Sequence, residues 1–507
     1  MIYTGGTIGM GPKTKGDPTS PLVPKPFNEL LEFLPGLDEE PDGNGFRVDE
    51  GRGIHVEYDD TVFDEPLDSS NVGPRHWVKI ARVIEKHYAD FDGFVILHGT
   101  DTMSYTGSGL AFILENLTKP VVLTGSQLPI SHVRTDGRNN VINAILIAGW
   151  RATFLPRIPE VVLCFGEKIL RAVRTTKVSA SGFHGFDSPN CQPLGTIGMD
   201  IVINEDFIPK EADLPKSPLK VHDIEKRVLN KGMRIRRIGV DPGLDEEWLN
   251  TLLEAKHLRG LILETFGTGN APTNPEICEA FRTGIFREKA EDRWPWVVVN
   301  ITDCPEGAVE LGLYDGSSAF LESGVVSGSD MTREAAFAKI HWALASQPEI
   351  RLLRSLQISQ RGEQSLNIFD FRYKGGSSIT PDSPYSDTQT TPRELSSRAF
   401  VEQAVVRLRN ITCNKNVGDT VRLHILVNEP DPRNECIGDP SVLQSILEVD
   451  WQGKPTFVCV DVTELFRKHQ IPTDVTLSIV VEDNTIIDFD SLYLAIATRA
   501  HNAVYHS

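Results

Sequence analysis

Phe94-Val95-Ile96-Leu97-His98-Gly99-Thr100-Asp101 is the stretch from which the fold can be read. An unbroken apolar run stops at a glycine, and a hydroxyl and an acid follow. A continuous run of this kind, bounded by Gly, marks a strand buried on both faces. The pattern recurs in Pro120-Val121-Val122-Leu123-Thr124 before Gly125 and in Val161-Val162-Leu163-Cys164-Phe165 before Gly166. Helix-like stretches, Ser104 to Asn116 and Asn139 to Ala148, lie between them. Alternating strands and helices predict an α/β domain with a largely parallel sheet. Ligands of such sheets sit beyond the carboxyl ends of the strands. Three hydroxyl-bearing turns meet that condition: Thr4-Gly5-Gly6-Thr7, His98-Gly99-Thr100-Asp101 and Thr124-Gly125-Ser126-Gln127.

Working outward, residues 192–232 lose periodicity, carry Pro209, Pro215 and Pro218, and read as a connector after a first domain of residues 1–191. A second α/β domain follows over 233–365. Its expected strands are Arg234 to Val240, Leu261 to Thr265 and Val297 to Asn300. Its expected helices are Glu246 to His257, Pro275 to Arg287, Thr332 to Ala345 and Glu349 to Leu356. Residues 366–397 are rich in Ser, Thr, Pro, Gly and Asp and read as a linker. From 398 to 507 the texture becomes alternating, as in Val421-Arg422-Leu423-His424-Ile425-Leu426-Val427 and Val475-Thr476-Leu477-Ser478-Ile479-Val480-Val481, which predicts an all-β, sandwich-like domain. The length of 507 residues agrees with this division at about 150 residues per domain.

Composition narrows the function. Lys plus Arg number 51 and Asp plus Glu 70, a formal net charge of −19, which argues against a general binder of nucleic-acid backbones. The 7 cysteines are odd in number and scattered, with no C-x-x-C pair. That argues against a disulfide framework or structural zinc and fits a reducing compartment. No stretch approaches the roughly 20 apolar residues of a membrane span. The chain starts almost inside a motif, so further residues are expected before Met1, and a targeting segment could be among them.

There is no H-E-x-x-H, G-x-S-x-G or G-x-x-x-x-G-K-[ST] pattern. What remains is a set of threonines with Asp101 and Lys177. A threonine hydroxyl must be activated to act as a nucleophile. Thr7, after two glycines, is either a cap in a Gly turn or a ligand-facing hydroxyl. Asp101, next to Thr100 at a strand end, is either the cap of the helix beginning near Met103 or a reactive acid. Lys177, in Arg174-Thr175-Thr176-Lys177, is either a solvated charge or, beside a buried Asp and a Thr, a proton relay.

Taken together these segments resemble the bacterial-type L-asparaginase family, in its type I (cytosolic) branch. The matching pieces are Tyr3-Thr4-Gly5-Gly6-Thr7-Ile8-Gly9-Met10, Leu67-Asp68-Ser69-Ser70-Asn71, Ile96-Leu97-His98-Gly99-Thr100-Asp101-Thr102-Met103 and Leu123-Thr124-Gly125-Ser126-Gln127-Leu128-Pro129. Arg174-Thr175-Thr176-Lys177, Ser188-Pro189-Asn190, Gly267-Thr268-Gly269-Asn270-Ala271-Pro272 and Arg361-Gly362-Glu363 continue the order up to about residue 365. The resemblance implies a two-domain amidohydrolase that converts L-asparagine to L-aspartate and ammonia, with no metal or organic cofactor. By the same resemblance Thr7 is the nucleophile. Thr100, linked to Lys177 and Asp101, organises the water. Asp101 holds the α-amino group, and Asp68, Ser69 and Ser70 bind the α-amino and α-carboxylate end. It further implies a cytoplasmic homodimer or homotetramer acting on a small molecule, with no nucleic-acid or membrane partner. Asn270 would be a candidate to complete the site across a subunit interface.

The chain departs from the family pattern at several points. The loop Gly11 to Pro24 lacks the tyrosine some members carry there, and Tyr314 stands where similar cytosolic members supply one. The position where type I enzymes place an arginine for an allosteric asparagine reads Glu264, although Thr302 and Cys304 are present; Cys304 reads as a small buried residue. The tail from 398 lies outside the resemblance. The rivals are a glutaminase or an amidotransferase subunit on the same fold, since one methylene is worth only about 1–3 kcal/mol in a pocket. A different class is an inactive binding protein acting through the β domain. Similar mammalian proteins have been described as lysophospholipases, but no lipase elbow is present here.

Overall fold

The structure is a computed structural model of the chain. It describes all residues except 15–18, 35–36, 40–44, 49–52, 256, 273, 287–295, 312–316, 318–319, 321–323, 381, 393–394, 396–400, 429–442, 453–455, 469–470, 472–473, 483–484 and 501–507. Two compact units form. One takes in Met1–Val309 and Glu322–Ser365, the other Leu366–Ala500.

The first unit is built on a seven-stranded sheet whose strands lie side by side in chain order. They are Ile2–Tyr3 (β1), Phe94–Leu97 (β2), Val121–Thr124 (β3), Val161–Phe165 (β4), Lys168–Arg171 (β5), Gly195–Ile197 (β6) and Ile201–Ile203 (β7). β1 to β4 are parallel, and β4 to β7 antiparallel. β2, β3 and β4 are buried at every position, as continuous apolar runs require. Helices Pro74–Lys86 (α1) and Met103–Ile113 (α2) pack on one face and Gly137–Ala148 (α3) on the other, giving two apolar clusters.

The second sheet is all parallel: Arg234–Gly239 (β8), Leu258–Thr265 (β9), Val297–Thr302 (β10) and Val326–Ser327 (β11). Helix Arg333–Ser346 (α4) belongs to the same cluster as α1 and α2. Phe337 meets Trp77 and Tyr105, and Trp342 meets Phe112, as ring pairs. The two α/β halves thus share one core. α4 carries almost no one-sided pattern because it is buried nearly all round, including Lys339.

Two expectations need correction. The expected connector 192–232 contains β6 and β7, which complete the first sheet, and buried Ile224 and Val228. Strands three residues long are too short to show a period. The expected linker 366–397 contains strands Leu366–Tyr373, Gly376–Ile379 and Tyr385–Thr390. Tyr385–Thr390 alternates half-buried and exposed positions as the edge of a sheet. Its Ser386 and Thr388 meet Ser478 and Thr476 of the next strand at 2.9 and 2.8 Å. Its polar residues disguise a period of two.

Among its described residues the second unit has two antiparallel sheets. One runs Leu366–Tyr373, Ser491–Arg499, Val401–Cys413, Ile487–Phe489, Gly376–Ile379, with Thr456–Asp461 also on Val401–Cys413. The other runs Tyr385–Thr390, Asp474–Val481, Thr420–Val427, Leu443–Asp450. Tyr373 of one sheet donates its hydroxyl to the Val475 carbonyl of the other at 3.1 Å.

Candidate active site

Parallel β1, β2 and β3 end at one edge, so Thr4, His98 and Gly125 begin three adjacent turns. Gly5 and Gly6 have φ of 103° and 87°, a region that favours glycine. A Cβ on Gly6 would run into the Cα and N of Gly99. The two turns therefore lie backbone against backbone, and Thr7 and Thr100 are the next residue of each. Thr7 opens a single turn of 3₁₀ helix and is half-buried. Thr4 donates its hydroxyl to the Leu97 carbonyl at 2.8 Å and pins the start of the turn.

His98, fully buried, props the second turn. Its Nδ1 lies 2.7 Å from the Gly99 carbonyl and its Nε2 2.9 Å from Thr106 Oγ1. Burial pushes its pKa down to about 4, so the ring is neutral at pH 7. A carbonyl only accepts, so Nδ1 carries the proton and Thr106 donates to Nε2.

Lys177 ends the two-residue strand Thr176–Lys177. Its Nζ donates to Thr100 Oγ1 at 2.9 Å and to Asp101 Oδ1 at 2.8 Å. Thr100 is buried, while the Asp101 side chain is 61% exposed. The expectation of a buried Asp101 is thereby corrected: the acid turns outward at the sheet edge. Nor does Asp101 cap the following helix, whose N-cap is Thr102.

Asp68 caps the turn Ser69–Asn71, its Oδ1 accepting from the Ser70 N–H and hydroxyl at 3.0 Å each. Ser69 is buried, its hydroxyl 3.3 Å from the Asp101 N–H, and its carbonyl accepts from Thr102 Oγ1 at 2.6 Å. Asp68, Ser69 and Ser70 are thereby tied to the Thr100–Asp101 turn. Tyr314 lies outside the described residues. A cavity of about 680 Å³ lies at the opposite, amino-terminal edge of the strands, lined by Met1, Asp59, Phe91 and Phe94 among others, away from these turns.

The remaining motif residues hold the frame. Arg174 forms a buried pair with Asp330, Nη2 to Oδ2 at 2.6 Å and Nη1 to Oδ1 at 3.1 Å, and donates to the Glu363 and Asn190 carbonyls. Asn270 closes a tight turn on Phe266. Glu264 is buried and paired with Arg237 and Arg333. Neighbouring arginines thus neutralise the carboxylate that replaces the expected arginine. Cys304 is exposed, correcting its reading as a buried residue: it follows the end of β10 in a turn, where Thr302 Oγ1 accepts its N–H. Among the described residues no group of ≥ 3 His, Cys, Asp or Glu side chains is placed to hold a metal ion. No helix among them is long and apolar enough to cross a membrane.

Burial raises the Asp330 carboxyl, but the Arg174 guanidinium and the bonds from Ser365 outweigh it and hold its pKa below the ordinary range. Such a group stabilises fully above its unfolded pKa and loses that contribution as pH falls through the folded one. The wild type should therefore lose stability from this pair below about pH 4. Asp330→Asn should be less stable at pH 7 and lose less on acidification. Urea unfolding at several pH values checks this, and equal acid losses in the two proteins would refute it.

Residues 1–209 match the family model for the asparaginase N-terminal domain, and residues 234–356 that for the glutaminase/asparaginase C-terminal domain. The chain is 36% identical over 370 residues to L-asparaginase 1 of Escherichia coli, covering 72% of this chain and 96% of that protein. It is 38% identical over 389 residues to a mouse 60 kDa lysophospholipase, covering 74% of this chain and 64% of that protein. The solved L-asparaginase I of Vibrio cholerae superposes with a TM-score of 0.58 at 34% identity, over 72% of this chain and 98% of that one. Both family models, matched in order over the α/β unit that carries the threonine turns, mean that the chain belongs to the asparaginase family.

Proposed function

We propose that the chain hydrolyses L-asparagine to L-aspartate and ammonia through a threonyl ester. The observation that carries this reading is the Lys177 ammonium bridging Thr100 and Asp101 beside the turn that bears Thr7. In the first step Thr7 Oγ attacks the side-chain amide carbon. The C–N bond breaks, and the hydroxyl proton leaves with the NH₂ group as ammonia. In the second step water cleaves the ester, releasing aspartate and restoring the Thr7 hydroxyl. Lys177 relays the protons, with Thr100 orienting the water. The outward Asp101 carboxylate takes the substrate's ammonium, and Asp68, Ser69 and Ser70 bind the α-amino and α-carboxylate end. Backbone N–H groups of the glycine turns stabilise the oxyanion, which in acyl transfer is often the greatest single contribution to lowering the barrier. On this reading the protein needs no metal or organic cofactor and works as a cytoplasmic homodimer or homotetramer.

The test is ammonia release by purified full-length protein from L-asparagine and L-glutamine, with fatty-acid release from lysophosphatidylcholine in parallel. Asparagine turnover is expected, and Lys177→Met should slow it by about 10²–10⁴-fold, the range of general acid–base help. Turnover of the lipid alone would overturn the reading.

A further inference from the structure

Lys177 must deliver one ammonium to two partners at 2.9 and 2.8 Å from the end of a flexible stem. Its own strand is a weak anchor. Thr176–Lys177 is two residues long and, among the described residues, pairs with a single neighbour, Phe186–Asp187. The three residues before the lysine are held instead by side-chain contacts. Arg174 is gripped by Asp330, and Thr175 donates to the Arg171 carbonyl at 2.8 Å. Thr176 donates its hydroxyl to Glu334 Oε1 at 2.9 Å. Asp330 and Glu334 flank Thr332, the N-cap of α4. The start of one helix in the second α/β half therefore grips the lysine segment of the first half at two points.

Resting on the proposed amidohydrolase reading, we propose that Glu334 is a positioning residue: through Thr176 it fixes the backbone from which Lys177 reaches Thr100 and Asp101. Glu334 is 5% exposed, an expensive place for a carboxylate whose sole task is the helix dipole, since exposed acids at a helix start do that as well. Burial raises its pKa, so a neutral amide should serve as acceptor in its place. A purely structural role would weaken α4 without altering the lysine.

The experiment uses the full chain with Thr176→Val, Glu334→Ala, their combination, and Glu334→Gln. Two quantities are read: steady-state ammonia release from L-asparagine, and the rate at which Lys177 is acylated by an amine-selective reagent, followed by peptide mass spectrometry. The second needs no turnover. In Thr176→Val and Glu334→Ala, kcat should fall by about 100-fold with KM little changed, as for a small misplacement of a reacting group. Lys177 acylation should rise by about 10-fold, the worth of one hydrogen bond to a charged group. The double variant should be no worse than either single one, because both cut one link. Glu334→Gln should stay close to wild type on both measures. Unchanged Lys177 acylation in Thr176→Val, or additive losses in the double variant, would overturn the proposal. Should Glu334→Ala not fold, Thr176→Val decides alone. A wild type that releases no ammonia would sink the amidohydrolase reading, and acylation would still decide whether Glu334 positions the lysine.

Discussion

Thr7→Ala should yield a folded protein that releases ammonia from L-asparagine on the order of 10⁴-fold more slowly or worse, the usual cost of deleting a nucleophile. KM should hardly move, because the expected binding groups Asp68, Ser70 and Asp101 stand on other turns. Folding should survive because the turn is held by its neighbours: Thr4 by Leu97, Gly6 N–H by the Leu67 carbonyl, and Gly9 N–H by the Gly6 carbonyl. No hydrogen bond from the Thr7 hydroxyl is needed for that frame. Thr7 is half-buried, not sealed into the core. Steady-state ammonia release with a matched thermal melt checks both halves. Wild-type turnover in the alanine variant would remove Thr7 from its role and reopen the nucleophile question.

Lys339→Met should cost roughly 3–5 kcal/mol, the penalty for leaving one member of a buried ion pair alone. Lys339 and Glu363 are both 0% exposed, 2.7 Å apart. The ammonium also donates to the carbonyls of Leu356 and Ile358 at 2.8 and 2.9 Å and to Gln364 Oε1 at 2.7 Å. Glu363 in turn accepts the N–H groups of Gln360 and Arg361. Burial pushes the carboxyl up, yet Lys339 and those N–H groups outweigh it and leave its pKa lowered. Methionine matches the lysine stem but leaves the carboxylate and three acceptors without their donor. Replacing both members by apolar residues should recover part of the loss. The midpoint of urea unfolding, followed for the transition of the first unit, measures it. A loss below about 1 kcal/mol would mean that the pair is no stronger than an exposed one.

Some of this was readable in the chain. Buried strands announce themselves as unbroken apolar runs, and β2, β3, β4 and β9 stand where the runs stand. The expected helices of both α/β halves appear within a few residues of their expected ends, as Met103–Ile113, Gly137–Ala148, Glu246–Leu253, Pro275–Phe286, Arg333–Ser346 and Glu349–Gln357. The places that misled share one physical cause: short or polar strands. β6, β7 and Tyr385–Thr390 carry too few residues or too few apolar ones to show a period, and neighbouring strands supply their stability. Asp330 and Glu334 gave no signal at all, because an acid near a helix start reads as a cap. Cys304 was misread because a cysteine's burial depends on what covers it.

By itself the chain determined where strands stop, which turns demand glycine, and which threonines, acids and lysine follow them, since local sterics and burial act within a few residues. Only the tertiary structure decided that Lys177 meets Thr100, 77 residues earlier, that Asp101 turns outward, and that Glu334 reaches back 158 residues to Thr176. The partner of a side chain is set by which segments the sheets and helices bring together, and no local pattern encodes that.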